Sequence, residues 1–157
     1  MTVKNKTAVL AAGVAFGTGF FLGGKMLVGM INEYKSRMKC EHSNMLVLND
    51  WLYFLYSGKN IEKYFHDLGY GKIMIYGNGN IGKRLFQALS KTDIEVVAIM
   101  DKTVTLSDDS GLLIGTDSNI PCVDCIIITP VFYEKEIYNF LNERTKIPVI
   151  SIRDIVK

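Results

Sequence analysis

The chain has 157 residues, 48% of them hydrophobic and 22% charged, a globular composition that excludes disordered, collagen-like and low-complexity chains. Net charge is only +2, and residues 44–157 carry 12 basic against 14 acidic side chains, so the basic stripe that a nucleic-acid binder needs is absent. Three cysteines are too few and odd in number for a disulfide framework.

Thr7 to Gly24 is an uncharged run of 18 residues, and after Lys25 the apolar character resumes through Ile31. At about 1.5 Å per residue a helix over 7–31 crosses a roughly 30 Å hydrocarbon core, with the Lys25 stem reaching the headgroups. Five glycines fall in the run, a burden for a helix in water that lipid tolerates better. Gly13 and Gly17 are four apart, as are Gly19 and Gly23, a spacing that lets two helices approach and predicts a homo-oligomer; the plainer alternative is that these small residues face lipid. Lys4 and Lys6 also fit a cleaved secretory signal, but no convincing small-x-small cleavage site follows. The expectation is a single-pass cell-membrane helix. Lys25, Lys35, Arg37 and Lys39 follow the span and only Lys4 and Lys6 precede it, which predicts a cytoplasmic carboxyl-terminal domain.

Residues 32–43 are polar and read as a juxtamembrane linker or a continuation of the helix. Met45–Tyr56 is nearly all apolar but too short to span, and Ser57-Gly58 stops it. It is expected to pack on the following domain, with Trp51 and the tyrosines alternatively at a lipid interface. Asn60 is placed to cap a second lead-in helix with Ile61, Tyr64, Phe65 and Leu68 on one face.

Lys72–Tyr76 (KIMIY) is a buried strand that runs into Gly77-Asn78-Gly79-Asn80-Ile81-Gly82, a G-x-G-x-x-G. A helix follows with Ile81, Leu85, Ala88 and Leu89 on one face, then a strand EVVAIM ending at Asp101, 19 residues after Gly82. The glycine motif alone says little; strand, glycine loop, helix, strand and terminal acid in this order define a dinucleotide-binding pattern. Gly77 permits the tight turn, Gly79 lets backbone amides approach a pyrophosphate, and Gly82 lets the helix pack on the strand. The helix amino terminus offers N–H groups to an anion. Asp101 is placed to accept from a ribose diol and disfavours a 2′-phosphate, so the expected cofactor is NAD; Lys102 softens that preference. The alternative ligand is a nucleotide-sugar, and a third reading keeps the glycines for packing alone.

Gly111–Gly115 is a short strand and Cys125–Thr129 a buried one; Pro130 is expected in the first turn of a helix capped by Thr129, with Tyr133, Ile137, Phe140 and Leu141 on its apolar face. Pro148–Ile152 is the last strand, and Asp154–Lys157 a short tail. No helix, or a very short one, joins the second and third strands. Residues 44–157 are thus an α/β, Rossmann-like, mostly parallel sheet of about five strands. Thr129 and Tyr133 fall where such a sheet presents its ligand edge.

The segment IMIYGNGNIGKRLFQALSKTDIEVVAIMD, with DCIIITP and IPVISI, resembles the nucleotide-binding domain of bacterial surface-polysaccharide enzymes, namely membrane-linked nucleotide-sugar epimerases/dehydratases and the amino-terminal domain of sugar acyltransferases. The resemblance covers about residues 70–157. It implies an NAD or nucleotide-sugar ligand and a place in polysaccharide biosynthesis. It implies no activity, since neither the dehydratase catalytic domain nor the acyltransferase β-helix repeats are found in this sequence.

No catalytic set emerges. No tyrosine stands four residues before a lysine, and no G-x-S-x-G, P-loop or H-E-x-x-H appears. Cys122 and Cys125 form a C-x-x-C without a second pair or a histidine, and it enters a strand, so it reads as structural. Cys40 with His42, and His66 alone, are too few for a metal site. A membrane-anchored binding module, a subunit whose catalysis a partner completes, and a non-binding structural oligomer are the three readings in order of preference.

Overall fold

The computed structural model describes the backbone of residues 3–103 and 111–157, and side chains from residue 24 onward within those ranges. It divides into two units, Met1–Lys39 and Cys40–Lys157. Helix α1, Val3–Tyr56, makes up the described part of the first unit and gives its last turns to the second. No glycine or proline occurs between Gly29 and Gly58, so nothing in the sequence breaks it. Residues 32–43 are therefore helix continuation, and the expected separate helix over Met45–Tyr56 is the end of α1. In the first unit the described side chains, residues 24–39, are all exposed. Most of the span expected over 7–31, with its glycine pairs, involves side chains outside the described residues; among the described residues no helix is long and apolar enough to cross a membrane.

In the second unit α1 stops at Gly58, whose φ of +74° suits glycine, and the Lys59 amide closes back on the Phe54 carbonyl at 3.2 Å. Helix α2, Ile61–Asp67, is capped as expected, the Asn60 side chain accepting from the Glu62 and Lys63 amides. Its buried face is Ile61 and Phe65; Leu68 lies beyond the helix and is exposed.

Strands β1 (Lys72–Tyr76), β2 (Glu95–Asp101), β3 (Leu113–Gly115), β4 (Cys125–Ile128) and β5 (Val149–Ser151) form one sheet in the order β3-β2-β1-β4-β5, all pairs parallel. Both faces are covered, which is why KIMIY and CIII read as continuous apolar runs. On one face Ile73, Ile75, Ile99 and Ile127 pack against Val47, Trp51 and Phe54 of α1, Phe65 of α2, and Leu85 and Leu89 of helix α3 (Asn80–Leu89). On the other, Met74, Met100, Ile126 and Ile128 meet Ile137 and Leu141 of helix α4 (Glu134–Asn142). The strand order reverses at β1, so the β1–α3–β2 and β4–α4–β5 crossovers lie on opposite faces.

Three expectations are corrected. Residues 154–157 are not a tail: Ile152–Val156 is helix α5, with Ser151 accepting from the Arg153 amide as its cap, and Ile152, Ile155 and Val156 buried. Pro130 does not open a long helix; it precedes a 3₁₀ turn, Val131–Tyr133, and α4 begins only at Glu134, leaving Tyr133 exposed. Thr129 caps no helix, because its hydroxyl is taken up elsewhere. The β2–β3 connection, where little or no helix was expected, lies largely at residues 104–110, outside the described residues; Thr116–Asp124 joins β3 to β4 without a helix.

Candidate functional site at the carboxyl edge of the sheet

Strands β1, β2 and β4 end side by side, β2 in Asp101 itself and β1 and β4 just before Gly77 and Thr129. The three loop glycines have three environments. Gly77 has a φ of +105°, and a Cβ there would fall 2.7 Å from Pro130 Cγ and 2.7 Å from Thr129 Oγ1. A Cβ on Gly82 would lie 2.0 Å from the Gly77 carbonyl oxygen. At Gly79 a Cβ would meet nothing within 4 Å. The outer glycines thus serve turn and packing, and the middle one borders open space.

Thr129 is buried at the seam between β1 and β4, its hydroxyl donating to the Tyr76 carbonyl at 3.0 Å with the Gly77 carbonyl at 3.2 Å. It fixes the exit of β1. Gly79 is the cap of α3 and offers no side-chain acceptor, so the first-turn amides of Asn80 and Ile81 remain available to an anion. Ile81 itself is buried and anchors that turn.

Asp101 closes the loop from the other side. Oδ2 accepts from the Asn78 amide at 2.6 Å, and Oδ1 accepts from the Thr103 amide and hydroxyl at 2.8 Å each. Burial alone would raise its carboxyl, but the Asn78 and Thr103 donors outweigh this and hold it below the ordinary carboxylate value. The residue is half-buried and anionic at neutral pH, and a carboxylate has lone pairs beyond these three bonds. Lys102, expected beside a cofactor, turns to Glu136 of α4, Nζ to Oε1 3.0 Å, and this pairing raises its ammonium group.

Two hollows adjoin at Asp101, Pro130 and Tyr133. The larger, about 460 Å³, has mainly apolar walls, with Tyr76, Ile137 and Phe140 among its lining and the Lys102–Glu136 pair and Thr116 also bordering it. The smaller, about 180 Å³, lies over Gly77, Gly79 and Asn80 and is completed by Phe132 and, from α1, by Cys40 and Asn44. All nine residues expected at a nucleotide site therefore lie along this edge: Gly77–Gly82 in sequence, Asp101 at the end of β2 with Lys102 next, and Thr129 after β4. Tyr76, Phe140, Cys40 and Asn44 were not anticipated. Tyr76 and Phe140 sit at positions that read simply as core; nothing in a helix before β1 marks residues 40 and 44.

The two cysteines of the C-x-x-C differ in setting: Cys125 is buried at the start of β4, burial and then Asp124 pushing its thiol up to about 12, while Cys122 is exposed. Among the described residues one group of three metal-ligating side chains occurs, Glu62, His66 and Asp93, at the opposite edge of the sheet, where His66 Nε2 lies 2.8 Å from Asp93.

These features define an α/β protein with a five-stranded, all-parallel sheet of Rossmann-like order and a glycine loop at its switch point. The family described as C2185-like, N-terminal, matches residues 69–152, and the chain belongs to that family. No curated protein and no solved structure matches the chain.

Proposed function

We propose that the chain is a nucleotide-binding module whose preferred ligand is an adenine dinucleotide, NAD before NADP. The contrast among the three glycines carries this reading: the loop is packed at Gly77 and Gly82 and open only at Gly79, where a pyrophosphate needs access to amides. The base would occupy the apolar hollow beside Tyr76 and Phe140, and the ribose diol would reach Asp101. We also propose, from the uncharged run Thr7–Gly24 and the basic residues after it, that the amino-terminal helix anchors the domain as a homo-oligomer on the cytoplasmic face of the cell membrane. The resemblance to surface-polysaccharide enzymes supports an accessory role in polysaccharide biosynthesis, without catalysis of its own.

Calorimetry of the full chain in detergent, with NAD, NADP, a UDP-sugar and AMP, tests the ligand. NAD should bind, Gly79→Val should abolish binding in a folded protein, and Asp101→Ala should weaken NAD by about 1.5–3 kcal/mol, one to two factors of ten. A UDP-sugar that binds, depends on Gly79 and ignores Asp101 would make the nucleotide-sugar the ligand. No heat with any nucleotide at millimolar concentration refutes the reading.

A further inference from the structure

The hollow over the glycine loop is not walled by loops of the sheet alone. Cys40 and Asn44 of α1 line it with Gly79, Asn80 and Phe132. They are four residues apart and so share one helix face, one turn above another. Both are half-buried, while Glu41, His42 and Met45 around them are exposed. The same side of α1 continues to Val47, Trp51 and Phe54, which are fixed in the core, so this wall is held in place by packing.

A nucleoside with its base beside Phe140 and its ribose at Asp101 would set its first phosphate over Gly79. Whatever is attached beyond that phosphate then extends toward α1. We propose that Asn44 is a specificity-determining residue whose carboxamide hydrogen-bonds the part of the ligand beyond the first phosphate, so that α1 selects dinucleotides over mononucleotides. An amide suits the task because it offers two donors and an acceptor to the hydroxyls and phosphate oxygens found there. Cys40, one turn away, reports occupancy of the same space. This rests on the nucleotide reading above and adds to it a third element of recognition, outside the glycine-loop and Asp101 pair.

The test uses the full chain and its own thiols. Alkylation by iodoacetamide is followed by mass spectrometry at Cys40 and at Cys122, the exposed internal reference; Cys125 is buried and stays unmodified. Saturating NAD should slow modification of Cys40 and leave Cys122 unchanged, and saturating AMP should protect neither. Asn44→Ala, a helix-favouring change, should keep the melting temperature of the free protein, weaken NAD by about three- to tenfold and leave AMP unaffected. If NAD binds, as heat shows, but Cys40 is modified at the same rate and Asn44→Ala binds normally, the inference is wrong and the nucleotide reading stands. Equal protection of Cys40 by AMP, or equal weakening of both ligands, also overturns the selection by α1. Absence of heat with wild-type protein brings down both.

Discussion

Replacing Gly82 by alanine adds one methyl group to the first turn of α3, and its Cβ would stand 2.0 Å from the Gly77 carbonyl oxygen and 3.1 Å from Thr129 Oγ1. That is more than about 1 Å inside comfortable contact between heavy atoms. The obstruction is backbone, so no side chain can swing aside; α3 must back away from the loop. Overpacking of this kind costs about 1–3 kcal/mol, and a backbone obstacle places it near the upper end. Alanine's better helix propensity offsets up to about 1 kcal/mol, leaving a net loss of about 2 kcal/mol. For a domain of this size that lowers the melting temperature by roughly 8 °C or more. Gly79→Ala is the control: its Cβ meets nothing within 4 Å, and the exchange at a helix cap costs only about 0.5 kcal/mol. Trp51 is the only tryptophan and is buried in the core, so its fluorescence follows urea unfolding of the sheet domain directly. Equal stability of the two variants would refute the assignment of Gly82 to packing and Gly79 to open space.

Thr129→Val should lower stability by about 1 kcal/mol, since the buried hydroxyl's bond to the Tyr76 carbonyl is lost at nearly constant volume, whereas Thr129→Ser should retain most of it; urea titration of the pair decides. Acid should destabilise the fold in a defined window. Asp101 and Asp124 both have carboxyl groups held below their ordinary value, Asp124 by accepting from the Lys72 and Gly71 amides, so each contributes stability above the unfolded value near pH 4 that is lost as pH falls through the lower folded value. Melting temperature should change little on their account from neutrality to about pH 5 and drop below about pH 4, with a shallower drop in Asp124→Asn.

Most of the second unit is legible because its signals are local. Asn60 before Ile61, the glycine loop between KIMIY and α3, and CIII before Pro130 each declare an element within a few residues. The site is legible where one residue type has one job: Gly77 and Gly82 by conformation and closeness, Asp101 by its place at a strand end. What escaped depends on partners distant in sequence. Asp124 accepts from the Gly71 and Lys72 amides, a clip between the starts of β1 and β4 across more than fifty positions, and nothing around Asp124 announces it. Thr129 looked like a cap because a proline follows, yet its hydroxyl bonds backward to β1. One miss was avoidable: Ser151 and Asp154 stand three apart ahead of buried Ile155, a cap pattern that marks α5. Residues 32–43 read as linker or as helix continuation because polarity alone does not separate the two, and with no glycine or proline between Gly29 and Gly58 the helix runs through them.

Val47, Trp51 and Phe54 draw a border that differs from the one kinship draws. Resemblance within the family begins at residue 69, but the buried interior begins about twenty positions earlier, in α1. Each of the three side chains contributes about 1.5–3 kcal/mol when buried, and their total is comparable to the whole net stability of an ordinary domain, about 5–15 kcal/mol. Part of the core that covers the family-matched segment therefore comes from outside it. Truncating Val47, Trp51 or Phe54 opens a cavity against the same sheet face as truncating a residue of α3, so the sheet answers to changes upstream of the matched segment as it does to changes within it.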